Sequence, residues 1–385
     1  MQSLLTINAG SSSLKTALYR TAPFERLAVV KVANLGHEAT LSFTTGGVRS
    51  AEALANVHTH DDALAAILER LAKQFGALDW RAFGHRVTHG GREFRKPQRI
   101  DETVRAQIAA LSPLAPLHQP HNLAGIAAAV RLAPNALQVA CFDTSFHRTI
   151  PDVARRYALP RALSDEGIEA FGFHGLSYEY IASTLGEHLG ARADGRVIVA
   201  HLGSGASLCA MQARRSIATT MGFTPLDGLP MATRSGALDP GVLLHLIEAK
   251  KMSAGEIRDL LYTQSGLLGV SGISDSMKEL LASAEPHAAE AIDLFVHRTV
   301  CAIGSLTAAL GGLDTLVFTG GIGENSAEIR TRICSRVAWL GAELDTRAHR
   351  EGRAVFSTSS SAVALCVLPT DEENVIARHT RALLE

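Results

Sequence analysis

Cysteine is scarce in this chain. Its five residues (Cys141, Cys209, Cys301, Cys334 and Cys366) are scattered among 385, with no Cys-x-x-Cys. An odd, unclustered set argues against a disulfide frame and for reduced thiols in a cytoplasm. Charge of one sign is also missing. Thirty-seven basic and 38 acidic residues leave a formal net charge of −1, so no bulk attraction draws the chain to nucleic acid or an anionic membrane. The longest apolar stretch, residues 306–323, is interrupted by Asp314 and several glycines and does not read as a membrane span. The N-terminus lacks the basic segment and cleavage site of a signal peptide. A soluble, cytoplasmic protein is therefore expected. The GxxxxGK[ST] spacing of a P-loop is absent too. His118 and His121 have ligand-like spacing, but no nearby carboxylate or cysteine accompanies them, and a structural role is the expectation.

What is present suffices for two domains with full cores, since 46% of the residues are hydrophobic and 19% charged. The chain is organised around Leu4-Leu5-Thr6-Ile7-Asn8-Ala9-Gly10-Ser11-Ser12-Ser13-Leu14-Lys15. An apolar run enters a small-residue tip and a second run follows, which reads as strand, tight turn, strand. Glycine and serine favour turns for conformational reasons alone. The tip also gathers backbone N–H groups, hydroxyls and a lysine, which suit a phosphate chain, and an amide that suits Mg²⁺.

Further strands are expected over residues 28–32 and 39–44, then a helix over 61–75 with Asp61 as N-cap. A strand over 80–87 delivers Arg86 to a Gly-Gly turn. Pro116 and Pro120 are expected to hold residues 114–121 extended ahead of a helix over 122–133. The strand over 137–142 ends at Asp143. A carboxylate there is costly to bury without a partner, which makes it a functional candidate. A second unit starts near Pro151. In it His174 precedes a helix over 177–189, and Gly203-Ser204-Gly205-Ala206-Ser207-Leu208 echoes the first hairpin. The echo suggests two related α/β domains. Arg234 lies in a long loop-rich segment, of the kind that tends to carry function. A long helix over 285–310 and a strand over 315–318 lead to Gly320-Gly321-Ile322-Gly323-Glu324, expected as a nucleotide-cradling loop before a helix over 326–337.

In combination these motifs resemble the acetate kinase family, within the superfamily of sugar kinases, actin and related ATPases. The resemblance implies an α/β fold of two duplicated actin-like, ribonuclease H-like domains with an interdomain active-site cleft. Residues 1–148, completed by a C-terminal helix over 371–385, would form one domain, and 149–370 the nucleotide-binding one. It implies a homodimer, with neither nucleic acid nor membrane as partner. The reaction implied is reversible phosphoryl transfer from ATP to acetate, giving acetyl phosphate and ADP, with Mg²⁺ or alternatively Mn²⁺. Asn8 and Glu372 would hold the metal, and Lys15 would lie by the phosphates. Arg86 would orient the acyl substrate, with Leu117 and Pro225 walling its methyl group. Asp143, His174 and Arg234 would be catalytic. His201, Leu202, Gly203, Ser204 and Gly205, Asp275, Ser276 and Met277, and Gly320, Gly321, Ile322, Gly323 and Glu324 would bind nucleotide.

A carboxylate acceptor, with a pKa of about 4 to 5, is already ionised at neutral pH. An orienting or metal-linked role for Asp143 is therefore favoured over general base. Several positions depart from the family pattern: Ser204 for Asn, Thr88 for an apolar residue, Gln119 for Asn, Leu176 and Tyr178 for Thr and His, Ala237 for Asp, and Ser276-Met277-Lys278 for Asp-Phe-Arg. The hydroxyl of Thr88 is expected beside the acyl tail, favouring acetate over propionate. Propionate or another short acyl acceptor, a pyrophosphate donor, and a nucleotide-binding regulatory ATPase are the alternatives.

Overall fold

Eight strands form the first sheet: β1 (Gln2–Ala9), β2 (Ser13–Arg20), β3 (Glu25–Ala33), β4 (Thr40–Thr45), β5 (Val48–Ala53), β6 (Asp79–Val87), β7 (Gln98–Arg99) and β8 (Leu137–Phe142), in the order β5-β4-β3-β2-β1-β6-β8-β7. The second sheet holds β9 (Arg196–Leu202), β10 (Ala206–Gln212), β11 (Arg215–Thr219), β12 (Thr315–Thr319) and β13 (Ala364–Val367), in the order β11-β10-β9-β12-β13. The structure, a computed structural model, describes residues 1–385 as two units. One is Met1–Ser145 with Asp371–Glu385, the other Phe146–Thr370.

The two sheets repeat one topology. β1 pairs antiparallel with β2 and parallel with β6, which pairs parallel with β8. Likewise β9 pairs antiparallel with β10 and parallel with β12, which pairs parallel with β13. In both sheets the central strands are nearly continuous apolar runs, as burial on two faces demands.

In the first unit, Leu5, Ile7 and Phe83 face a core shared with the helix His60–Phe75, which buries Ala63, Leu64, Ile67 and Leu71 at helical spacing. That helix starts ahead of the expected Asp61 cap. Thr59 is its N-cap, and Asp62 completes a reciprocal capping box with it. The opposite face, with Leu4 and Ala82, takes the C-terminal helix Glu372–Leu384 through Ala377. Gly84 makes that approach possible: a Cβ there would lie 2.1 Å from Thr380 Oγ1 and 2.7 Å from Ile376 Cγ2.

Residues 114–121 are not extended as expected. Ser112–Leu114 forms a 3₁₀ turn and a helix begins at Gln119, with Pro120 in its first turn. Proline suits that position because the missing N–H has no partner in a helix anyway. In the second unit, the helix Pro286–Leu310 is long and apolar enough by composition to cross a membrane. Here its Phe295, Val296, Ile303 and Leu306 are core residues of that unit.

One buried histidine in each unit is held neutral. His85 Nε2 lies 2.7 Å from Gln138 Oε1, while His147 bonds the Phe173 carbonyl through Nε2 and Ser216 Oγ through Nδ1. Burial pushes each imidazole down to about 4. Above pH 6.5 neither state charges these rings. As pH falls from about 6.5 to about 4, the unfolded chain takes up protons that the folded one refuses. Each histidine is therefore expected to cost up to about 3 kcal/mol of stability across that window. Urea unfolding at stepped pH should show the loss, and His85→Gln should reduce its slope; an unchanged slope would remove His85 from the account.

Candidate functional site

In the first unit the site is built at the carboxyl ends of β1, β6 and β8. Parallel pairing aligns Arg86 with Cys141 and Val87 with Phe142, which brings Asp143, the next residue, beside Arg86. Arg86 Nε donates to both Asp143 oxygens at 3.1 Å and Nη2 donates to Oδ2 at 2.6 Å. The Asp143 side chain is 1% exposed. Burial pushes its carboxyl up, and Arg86 opposes that shift. Burial also pulls at the guanidinium, but Asp143 and Glu372 outweigh it and hold Arg86 firmly charged. With both oxygens engaged by one guanidinium, Asp143 serves to aim Arg86 and is poorly placed as a free base.

Arg86 Nη1 is 3.3 Å from Asn8 Oδ1 and 3.7 Å from Glu372 Oε2. Asn8 comes from β1 and Glu372 from the first turn of the C-terminal helix, so three chain segments converge on one cation. Asn8 Oδ1 and the Glu372 carboxylate are hard oxygen donors gathered at one place. Mg²⁺ is usually held by one or two such protein groups plus phosphate oxygens and water, so this pair fits it. Lys15 is ion-paired to Glu373 at 2.8 Å, next to Glu372 in sequence. Leu117 is 37% exposed.

The acyl-pocket expectation for Thr88 is corrected. Thr88 is 4% exposed, and its hydroxyl donates to Asn122 Oδ1 at 3.1 Å, as its N–H does at 2.9 Å. Asn122 Nδ2 donates in turn to the Ala9 carbonyl. The hydroxyl is therefore not unpaired beside an alkyl tail. It helps clamp the end of β6 to the end of β1, one residue past Asn8. Gln119 plays a similar part, bonding both the N–H and the carbonyl of His89.

In the second unit His174 is the N-cap of the helix Gly175–Leu189, at φ 58 and ψ 23. A non-glycine residue in the left-handed region costs about 1–2 kcal/mol, a strain often found where a side chain must be aimed. Its Nδ1 lies 2.8 Å from Ser207 Oγ on β10, and its ring stacks on His201 of β9 at 4.3 Å. His201 Nδ1 is 2.8 Å from Ser177 Oγ. Arg234 Nη1 donates to the Pro225 carbonyl at 2.9 Å, which brings together two residues singled out separately. A Cβ on Gly205 would sit 3.2 Å from His174 Nε2 and 3.9 Å from Arg234 Nη1. Glycine thus leaves space open where an imidazole and a guanidinium converge.

Gly203 and Gly205 turn between β9 and β10 at Ser204, and a Cβ on Gly203 would lie 3.6 Å from Gly321 N. Gly320–Asn325 is itself a short helix, where a loop was expected. Glu324 Oε1 accepts from Thr319 Oγ1, Gly320 N and Thr370 N, so that oxygen is committed to the fold. Leu202 and Met277 are core residues, Ile322 is half-buried against the same core, Asp275 is exposed, and Ser276 caps a short helix. The residues that sequence reasoning passed over are Asn122, Ser207 and Glu373. Ser207 stood within the repeated hairpin, and that echo was the signal available for it.

Residues 3–378 match the pattern of the Acetokinase family. The chain is 52% identical over 391 residues to an acetate kinase of Rhodopseudomonas palustris (strain TIE-1), covering 99% of this chain and 98% of that one. It is similar to the crystal structure of a propionate kinase from Francisella tularensis subsp. tularensis SCHU S4, at 35% identity and a TM-score of 0.92, covering 99% and 100% of the two chains. Acetate kinase from Porphyromonas gingivalis gives 36% identity and a TM-score of 0.87, with 100% of both chains covered.

Thr88→Val leaves Asn122 Oδ1 its backbone donor and removes the other. The expected result is a loss of about 1 kcal/mol in unfolding free energy, with no improvement in the relative use of a longer acyl chain. A several-fold gain for propionate over acetate in kcat/KM would restore Thr88 to the pocket.

Proposed function

The chain belongs to the acetokinase family, and on that premise we propose that it catalyses reversible Mg²⁺-dependent phosphoryl transfer from ATP to acetate. One observation carries the reading beyond membership: His174 Nε2 and Arg234 Nη1 converge on the space that Gly205 leaves open. Phosphoryl transfer needs positioning and neutralisation of charge on the equatorial oxygens, and little covalent work from the protein.

In this reading the second unit holds the nucleotide through the Gly203–Gly205 turn and the open backbone at Gly321, with His174 and Arg234 directed at the transferred group. The first unit presents acetate to Arg86, whose guanidinium Asp143 keeps in orientation. An acetate oxygen attacks the γ-phosphorus, an O–P bond forms, and the bond to the ADP oxygen breaks. Acetate enters ionised, so no proton has to be removed. Asn8 and Glu372 would hold Mg²⁺, which when bound neutralises phosphate charge. Manganese suits the same oxygen donors.

The helix Pro240–Glu248 supports the homodimer of this reading. It buries none of its residues although Val242, Leu244 and Ile247 are apolar and 40%, 56% and 49% exposed, and such a face calls for a partner. Leu244→Asp is expected to yield monomers by light scattering; a variant that stays dimeric would remove this face from the interface. Four of the five free cysteines are buried, which suits the cytoplasmic placement.

The test is trapping of acyl phosphate by hydroxylamine with ATP and acetate. Failure with acetate, propionate and butyrate would overturn the proposal, and pyrophosphate in place of ATP decides the donor. Arg234→Ala should lower kcat by about 10³-fold with smaller effects on nucleotide KM. Lysine at 234 should restore only part, since it lacks the planar fork. Near-normal turnover in Arg234→Ala would remove Arg234 from the mechanism.

A further inference from the structure

Tyr178 stands one turn along the helix from His174. It is fully buried, and its hydroxyl lies 2.5 Å from Ser207 Oγ. The same Ser207 oxygen lies 2.8 Å from His174 Nδ1. Ser207 is also fully buried. The three side chains therefore form one line, Tyr178–Ser207–His174, away from bulk water.

A count of hydrogens decides how this line is ordered. A serine hydroxyl has one proton to give, and so does a tyrosine hydroxyl. Ser207 Oγ is the one polar side-chain atom within hydrogen-bond reach of the Tyr178 hydroxyl. If Ser207 donated to Tyr178, the tyrosine hydrogen would be buried with no acceptor, an arrangement that folded proteins avoid. Tyr178 must then donate to Ser207, and Ser207 donates its own proton to His174 Nδ1. A nitrogen that accepts carries no hydrogen, so the ring's proton sits on Nε2. That is the atom beside Gly205, in the space shared with Arg234 Nη1.

We propose that Tyr178 and Ser207 are positioning residues that hold His174 neutral, with its proton on Nε2, as a hydrogen-bond donor to the transferred phosphoryl group. The proposal rests on the phosphoryl-transfer reading of His174. Burial pushes the Tyr178 hydroxyl well up, so it keeps the proton the chain requires. Forming an imidazolium would require Nδ1 to donate, which reverses both bonds and strands the tyrosine hydrogen. The nearby Arg234 guanidinium also disfavours a second positive charge. Cys209 and His147 face the tyrosine. Burial raises the Cys209 thiol to about 12 and lowers His147 to about 4, so neither is charged near neutrality. Positive charge at the transition state is thereby left to other groups, Arg234 among them, while His174 supplies direction.

Histidine-selective ¹⁵N NMR on the intact, substrate-free protein tests this, with the His174 signals assigned by their loss in His174→Asn. Wild type should show a single neutral form of His174 protonated at Nε2. Tyr178→Phe, which keeps the ring and removes the hydroxyl, should admit the Nδ1-protonated and imidazolium forms. It should also lower kcat about tenfold, leave both KM values within about twofold, and move the acid limb of kcat to higher pH. Because Tyr178 acts through Ser207, the double variant with Ser207→Ala should lose no more than Ser207→Ala alone. A wild-type His174 protonated at Nδ1 would overturn the proposal. So would a Tyr178→Phe protein with unchanged tautomer and unchanged kcat. Absence of acyl phosphate from wild type would instead sink the functional reading, while the tautomer measurement would still decide the hydrogen-bond chain.

Discussion

A buried carboxylate that cannot remain alone governs the first unit. Asp143 directly follows β8, almost wholly shielded from solvent, and the parallel register supplies Arg86 from β6 as its partner. Removing either residue would leave a buried charge uncompensated, which costs far more than the pair contributes to stability. Once Arg86 is pinned by one edge of its guanidinium, its other nitrogen is directed toward Asn8 and Glu372. The geometry around Arg86 thus follows from the need to solvate one carboxylate.

The second unit reaches its arrangement by a different route on the same topology. The pair one step in from each hairpin tip is equivalent, Asn8 opposite Lys15 in one sheet and His201 opposite Ser207 in the other. In the first, that position serves an ion-pair network with Glu372 and Glu373. In the second it serves imidazoles and hydroxyls joined by hydrogen bonds. The same hairpin pairing thus carries two different sets of side chains.

The duplicated hairpins were legible because the small-residue tip and flanking apolar runs are local signals. Arg86, Asp143, His174 and Arg234 stood out for similar reasons, as polar groups at the ends of apolar strands or in glycine-rich loops. Strand β5 was not visible: all six of its residues are exposed, so it carries no burial pattern. The helix start at Gln119 was masked by prolines, which suit both an extended segment and a first helical turn. Thr88 was misjudged because its acceptor, Asn122, lies 34 residues away on another element. The link from Tyr178 to Ser207 spans 29 residues and depends on side-chain register across helix and strand, which periodicity does not encode.

The packing of the C-terminal helix against Gly84 has a consequence for synthesis. Residues 1–145 leave the ribosome earlier, yet the face of their sheet around Leu4 and Ala82 packs against the helix of residues 371–385. All of residues 146–370 must be made in between. During that interval an apolar sheet face stays open, and Arg86 and Lys15 lack the Glu372 and Glu373 carboxylates that later surround them. The early half of the chain is thus held incomplete until the late half exists. A nascent chain stalled before residue 371 would expose a sticky surface for chaperones or proteases to recognise.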